Sequence, residues 1–304
     1  MPEPQAYLNG QFISAAQAVL PVFDAGFVQG TTVAEQLRTF GGRLFRLREH
    51  VERLFHSLAI VQVDPGHSFD QLVEVAETLA ANNHALLADG DDLGLAMFVT
   101  PGDYRAIASG QPCGPTVCLH TFPLRFDLWV EKYQYGESLA TTDVEQVPPS
   151  CWPPELKCRS RMHYYLADRQ AGERYPGSRA LLLDRQGFVV EATTANVVLY
   201  RNDGGLILPP AEKILPGISL AVLLELAEEL EVDFHYRDFK PADVGTADEV
   251  FLTSTSPCIV PVVNFNGRTI GSGRPGAMFV RFMSAWSDLV GLDIVEQAQR
   301  FAMR

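Results

Sequence analysis

The stretch ALLLDRQGFVVEATTANVVLYRNDGG, residues 180–205, decides the architecture of this chain. Ala180–Asp184 is short and apolar, Arg185-Gln186-Gly187 is a turn, Phe188–Tyr200 is rich in β-branched residues, and Asn202-Asp203-Gly204-Gly205 is a second tight turn. Strand, turn and strand with no helical spacing between them spell antiparallel hairpins. The same signs recur outward from this stretch. Asn9-Gly10 is a hairpin turn, and Gly41-Gly42 separates Val33–Phe40 from Arg43–Leu47. Asp91–Thr100, Val117–Phe122, Ser138–Val147, Glu249–Thr253, Cys258–Val263 and Arg268–Ile270 read as further extended segments. Helices are marked by one-face spacing: Leu47, Val51, Leu54 and Leu58 predict one to about Ile60, and Leu72, Val75, Ala76 and Leu79 another over about Phe69–Leu87. Others are expected from Glu155 onward, over Ile218–Glu231 behind Pro216-Gly217, and near Ala277–Val290. Strands arrive in hairpins more than in alternation with helices, so an α+β fold with mostly antiparallel sheets is expected over a doubly wound one.

Three hundred and four residues suit two domains. Residues 1–126 read as a smaller N-terminal α+β domain, 127–136 as a polar and aromatic linker, and 137–304 as a larger C-terminal α+β domain. Hydrophobic residues at 47%, charged residues at 20% and a mean hydropathy of +0.02 fit a globular chain. The net charge of −13 repels phosphate backbones, so nucleic acid is not an expected partner. Five cysteines without a C-x-x-C pair suggest neither a disulfide framework nor a zinc site, and the seven histidines are scattered, so no metal is expected. The opening MPEPQAYLNGQF has no signal-peptide pattern, and no stretch approaches the roughly 18 apolar residues of a membrane span. The expectation is a cytoplasmic protein with no membrane partner.

Gly271-Ser272-Gly273-Arg274-Pro275-Gly276 fits G-x-G-x-x-G, but a proline sits inside it and too little chain follows for a dinucleotide-binding unit. It reads as a turn before the last helix. The chain has four lysines, Lys132, Lys157, Lys213 and Lys240. Three of them lie in a linker or in loops beside acids or prolines. Lys157 stands near the expected start of a helix with Arg159 and Arg161 close by, and both features disfavour an ammonium ion. Spacing alone leaves it equally readable as a surface lysine. Glu191 interrupts an apolar strand, so it needs a partner or an outward-facing position. Arg53 lies beside Leu54 on an apolar helix and reads either as a snorkelling boundary residue or as a functional cation. Gly217-Ile218-Ser219 opens a helix, where a serine serves as an N-cap or receives phosphate.

Together these segments resemble the class IV (fold type IV) pyridoxal-phosphate enzymes, which include branched-chain and D-amino acid aminotransferases and aminodeoxychorismate lyase. The resemblance is carried by FVQGTTVAEQLR at 27–38 with GRLFRLREHVERL at 42–54, and by Lys157, Glu191-x-x-x-x-Asn196 and Leu208-Pro209-Pro210. It continues through LPGIS at 215–219 and DEVFLTST at 248–255. It implies a two-domain D-amino acid aminotransferase-like fold and pyridoxal 5′-phosphate as cofactor. By the same resemblance Lys157 forms the Schiff base and shuttles the proton, and Glu191 pairs with the pyridine nitrogen. Arg53, Ile218, Ser219 and Thr255 hold the phosphate, Tyr164 reaches the cofactor's phenolic oxygen, and the Ser254-Thr255-Ser256 turn, with Ser256, receives a substrate carboxylate. The family forms homodimers.

The sequence departs from the family on the substrate side. Ala34 stands where Phe or Tyr is common, Gln29 where Tyr is common, and Pro101 where an arginine of some D-amino acid enzymes captures carboxylate. Arg38, Arg105 and Arg161 are the candidates to replace that charge. The resemblance implies an aminotransferase acting on an amino acid and a 2-oxo acid. An aminodeoxychorismate-type lyase releasing pyruvate is the alternative, and a non-catalytic relative is the reading least in keeping with retention of Lys157, Glu191 and Arg53.

Overall fold

The computed structural model describes residues 3–110 and 113–303, and the chain divides into two compact units, Met1–Leu124 with Leu156–Ser160, and Arg125–Glu155 with Arg161–Arg304. In the first unit, β1 (Gln5–Leu8), β2 (Gln11–Ser14), β3 (Val33–Phe40), β4 (Arg43–Leu44), β5 (Leu93–Thr100) and β6 (Thr116–Pro123) form an antiparallel sheet in the order β2-β1-β6-β5-β3-β4. Both predicted glycine turns are present, with Gly10 at φ 92° and Gly41 and Gly42 at φ 55° and 77°. The helices are α1 (Ala25–Val28), α2 (Leu47–Val61) and α3 (Phe69–His84). Ser68 and Gln71 close α3 with a reciprocal capping box. Alternation along β3 sends Val33 and Leu37 into a core with Val51, Leu54 and Leu58 of α2 and Leu72, Ala76 and Leu79 of α3. Glu35 belongs to that same inward row, which places a carboxylate where an apolar residue is the rule.

The second unit holds β7 (Glu137–Thr141), β8 (Arg179–Leu183), β9 (Val189–Ala192), β10 (Asn196–Arg201), β11 (Gly205–Leu208), β12 (Phe234–Tyr236), β13 (Glu249–Ser254), β14 (Cys258–Phe265) and β15 (Arg268–Thr269). Their order is β12-β11-β10-β13-β14-β7-β8-β9, with β15 on β14, and only β11–β12, β14–β7 and β7–β8 pair in parallel. Around this sheet are α4 (Val130–Tyr135), α5 (Met162–Arg174), α6 (Ile218–Glu229), α7 (Pro241–Gly245), α8 (Ala277–Val290) and α9 (Ile294–Phe301). The α+β architecture agrees with the sequence reading.

Four local expectations are corrected. Phe188–Tyr200 is two strands, because the chain reverses at Thr193–Ala195, where Ala192 and Ala195 exchange backbone hydrogen bonds and Thr194 adopts φ 60°. The helix expected from Glu155 begins only at Met162, since residues 157–159 are held extended against β3. The expected linker 127–136 is folded: Phe126, Trp129 and Tyr133 are buried, and the Tyr133 hydroxyl donates to Pro257 O at 2.8 Å. Aromatic side chains there find a core. Finally, Leu156–Ser160, which carries Lys157, groups with the first unit, whereas the chain on either side of it groups with the second. The glycine-rich turn at 271–276 leads into α8, whose first amides, Met278 N and Phe279 N, are taken by the Glu249 carboxylate at 2.8 and 3.0 Å. That helix start is closed by its own chain.

Candidate active site

In the first unit the candidate residues lie on β3, α2 and the segment 157–159. Ala34 N donates to Lys157 O at 3.0 Å and Arg159 N donates to Thr32 O at 2.8 Å, so residues 157–159 lie along the edge of β3 with Cys158 opposite Val33. On the other side Lys157 N donates to Ser57 Oγ of α2 at 3.1 Å. Lys157 is therefore tied at both its amide and its carbonyl. The helix-terminus argument made from sequence does not apply to it, because α5 starts five residues later.

Beneath this segment lies a network the sequence reading missed. Glu35, 1% exposed, accepts Arg53 Nε at 2.7 Å and Arg53 Nη2 at 2.8 Å, a bidentate pair, and His50 Nδ1 donates to its second oxygen at 2.7 Å. His50 and Arg53 are i,i+3 on α2, hence on one face. A legible sign was present in the sequence: Glu35 shares its strand face with Val33 and Leu37, and a carboxylate on a core face calls for a cation. Burial pushes the Glu35 carboxyl up, but the Arg53 charge and the hydrogen bonds from Arg53 and His50 outweigh it, with Lys157 adding to them, and the group is held well below the usual carboxylate range. For His50 burial is the largest influence and pushes its pKa down, against the opposing pull of Glu35.

This has a measurable consequence for stability. Unfolded His50 takes up a proton near its ordinary 6.5, whereas folded His50 resists it, so the folded state loses ground as pH falls below that value. The expected result is that unfolding free energy, followed by urea denaturation between pH 7.5 and 5, declines more steeply in the wild type than in His50→Gln. The difference in slope is bounded by about 1.4 kcal/mol per pH unit for one proton. Identical slopes would count against a neutral buried His50. The Glu35 contribution has the same sign but is present above the ordinary carboxylate range and lost only as pH falls below it.

In the second unit the candidate residues lie on β9, β10, α5, α6 and the turn after β13. Glu191, 5% exposed, accepts the Tyr164 hydroxyl at 2.5 Å and Gln146 Nε2 at 2.6 Å. Burial above all, and then the Glu191 charge and hydrogen bond, push the Tyr164 phenol well above its usual value, so it is a fixed donor. Its hydroxyl is thus engaged with Glu191. Asn196 Nδ2 donates to Leu215 O at 2.9 Å, anchoring the loop that enters α6. A Cβ at Gly217 would run into Asn196 Oδ1, so glycine is required for this close approach. Gly217 caps α6 without a side-chain hydrogen bond. Thr255 and Ser256 form the turn after β13, and Thr253 Oγ1 and Gln146 Oε1 are buried without a hydrogen-bond partner among the described residues.

The three candidate arginines differ. Arg38 is 1% exposed, lies 4.0 Å over the Phe40 ring and donates to Thr39 O, on the β3 face opposite Glu35. Arg105 is exposed on the turn after β5. Arg161 directly precedes α5, and its charge acts on His163 and Tyr164. The other lysines are engaged as cations: Lys132 Nζ lies 2.6 Å from Glu137, Lys213 Nζ lies 3.0 and 2.6 Å from Asp184 and Asp238, and Lys240 Nζ sits 5.5 Å from the Phe188 ring centroid.

Amino-transferase class IV, as a family, matches residues 32–265, a span that runs from the β3 segment through Lys157 and Glu191 to the end of β14. The chain belongs to the class IV aminotransferases. A Methanocaldococcus jannaschii protein named for branched-chain-amino-acid aminotransferase activity is 32% identical, over 93% of this chain and 95% of its own. The D-alanine aminotransferase of Bacillus licheniformis is 30% identical, over 89% and 91%. The crystal structure of Escherichia coli branched-chain amino acid aminotransferase superposes with a TM-score of 0.86 at 25% identity, covering 95% of each chain. As a class IV aminotransferase, the chain is a pyridoxal-phosphate-dependent transaminase. Among the described residues no group of histidines, cysteines and acids is arranged to hold a metal, and no helix is long and apolar enough to cross a membrane.

Proposed function

We propose that Lys157 Nζ is the point of covalent attachment for pyridoxal 5′-phosphate and the base that moves the substrate proton. The observation that carries this is the double backbone anchorage of Lys157, held by β3 at its carbonyl and by Ser57 of α2 at its amide, beside the buried Glu35–Arg53 pair. The second unit's donor set suits a phosphoester: a helix start without a side-chain cap at Gly217, the hydroxyls of Ser219 and Thr255, and the orphaned Thr253 hydroxyl beside them in sequence. Arg53, whose guanidinium plane is set by Glu35, is assigned to the cofactor's phosphate.

When bound, the cofactor supplies an electron sink conjugated to the substrate's amino nitrogen. Glu191 holds the pyridine nitrogen protonated, and Tyr164 and Gln146 hold Glu191 in place. Lys157 would hold the cofactor through its amine and, with that amine free, would take the proton from the substrate Cα and give it back to the cofactor carbon on the other side of the amino nitrogen. The Thr255-Ser256 turn receives the substrate carboxylate. Arg38, Arg105 and Arg161 are the cations assigned to meet a further carboxylate charge on the substrate.

The substrates are an amino acid and a 2-oxo acid, exchanged in two half-reactions. Two copies associate, in keeping with the exposed Val22, Phe27 and Ile107, which lie on segments joined by the Tyr104 N to Phe23 O hydrogen bond. The chain is placed in the cytoplasm, in keeping with five unbridged cysteines. The test is a panel of both enantiomers of common amino acids with 2-oxoglutarate. One enantiomeric series is expected to yield glutamate in stoichiometric amounts. Release of pyruvate from aminodeoxychorismate with no amino acceptor, and no amino transfer from any donor, would overturn the transferase assignment.

A further inference from the structure

Thr194 is a β-branched residue at φ 60°, a conformation that such side chains adopt only when the surroundings impose it. It stands in the reversal between β9 and β10, three residues after Glu191 and two before Asn196. One side chain grips that reversal. Arg179, on β8, donates through Nε to Thr193 Oγ1 at 3.2 Å, and through Nη2 to Thr193 O and to Thr194 Oγ1, the latter at 2.7 Å. Asp168 of α5 completes the hold, accepting Thr193 Oγ1 at 2.8 Å and Ala180 N at 3.0 Å. From the far side Ser254 Oγ donates to Thr194 O at 3.3 Å. The turn is thus a node linking Glu191, the Asn196 anchor of the α6 entrance, and the strand end that leads to Thr255.

We infer that Arg179 is a positioning residue for the cofactor: it pins the strained Thr193-Thr194 turn, and so fixes the placement of Glu191, Asn196 and the Ser254-Thr255 strand end. The inference rests on the assignment of Glu191 and Thr255 proposed above, and it extends that assignment to a residue the motifs do not contain. Burial pushes the Arg179 guanidinium pKa down, while Glu137, Asp168 and Tyr164 act in the opposite direction. A lysine does not substitute for it, because a point ammonium does not reproduce a planar fork on two consecutive residues.

The physical content is strain, so relief of strain is the test. Glycine adopts positive φ at no steric cost, so with glycine at 194 the bonds to Thr193 remain but no strained residue is left for the clamp to restrain. Arg179→Met and Arg179→Lys are each expected to weaken the affinity of apoprotein for pyridoxal 5′-phosphate by about tenfold or more, the scale of lost charge-assisted hydrogen bonds. Adding Thr194→Gly to either is expected to bring the affinity back to within about threefold of wild type. A second measurement needs no cofactor. Hydrogen exchange at the Ala192 and Ala195 amides, which close the turn, should accelerate in both single variants of the apoprotein and slow again in the double variants. Unchanged exchange and affinity in the Arg179 variants would overturn the inference, and so would losses that Thr194→Gly does not repair, since these mark Arg179 as a general structural residue. If exchange responds as expected while the wild-type apoprotein takes up no pyridoxal phosphate, the site assignment fails and the clamp stands.

Discussion

Lys157→Ala is expected to lose the borohydride-reducible cofactor entirely and to lower turnover by at least about 10⁴-fold, since both the attachment point and the proton-moving base disappear. The measurement is mass spectrometry of a peptide digest after reduction. In wild type the pyridoxyl mass should reside on the peptide that contains Lys157 and nowhere else. The structure explains why no other amine takes over: Lys132 and Lys213 are ion-paired with Glu137 and with Asp184 and Asp238. For Lys213 burial lowers the pKa, but its two aspartates outweigh this and the net shift is upward. Near-wild-type turnover in Lys157→Ala, or a pyridoxyl group on Lys132, Lys213 or Lys240, would remove the basis of the proposed mechanism.

Glu191→Gln is the second large effect. The amide preserves the shape of the side chain and can still accept the Tyr164 hydroxyl, so folding and cofactor uptake should persist. What it removes is the negative charge in a buried position, where an opposing charge acts with little screening. On the proposed pairing of Glu191 with the pyridine nitrogen, losing that charge would leave the nitrogen unprotonated and the ring a weaker electron acceptor. Turnover is expected to fall about 10²–10³-fold, the usual scale for loss of one preorganised electrostatic contact, while the substrate KM changes much less. Single-turnover measurement of either half-reaction isolates the step. A loss of under tenfold would show that Glu191 serves the fold and not the ring.

Much of the fold was legible because its signals are local. Glycine pairs announced the hairpins at Gly10 and Gly41-Gly42, and four leucine or valine positions announced α2. The failures share a cause. Phe188–Tyr200 has the composition of one strand, and the reversal at Thr194 lacks a glycine or proline to announce it, because the turn is held from outside by Arg179 and Asp168. The start of α5 was misplaced for a similar reason. Glu155–Arg161 has nothing that forbids a helix after its prolines, but Ala34 and Thr32 supply backbone partners that hold residues 157–159 extended.

The sequence by itself determined the family and the α+β class, because these rest on residue types and spacings that survive without coordinates, and the family resemblance singled out Lys157 as the expected Schiff-base lysine. Only the tertiary structure decided what surrounds that lysine. Glu35 and Arg53 are separated by a hairpin and nearly two helix turns, and Ser57 and Lys157 by one hundred residues. Composition and periodicity carry no information about which distant groups meet. A buried carboxylate, a histidine that resists protonation and a guanidinium gripped along its Nε–Nη2 edge are properties of a desolvated contact, and that contact exists only once the chain has folded.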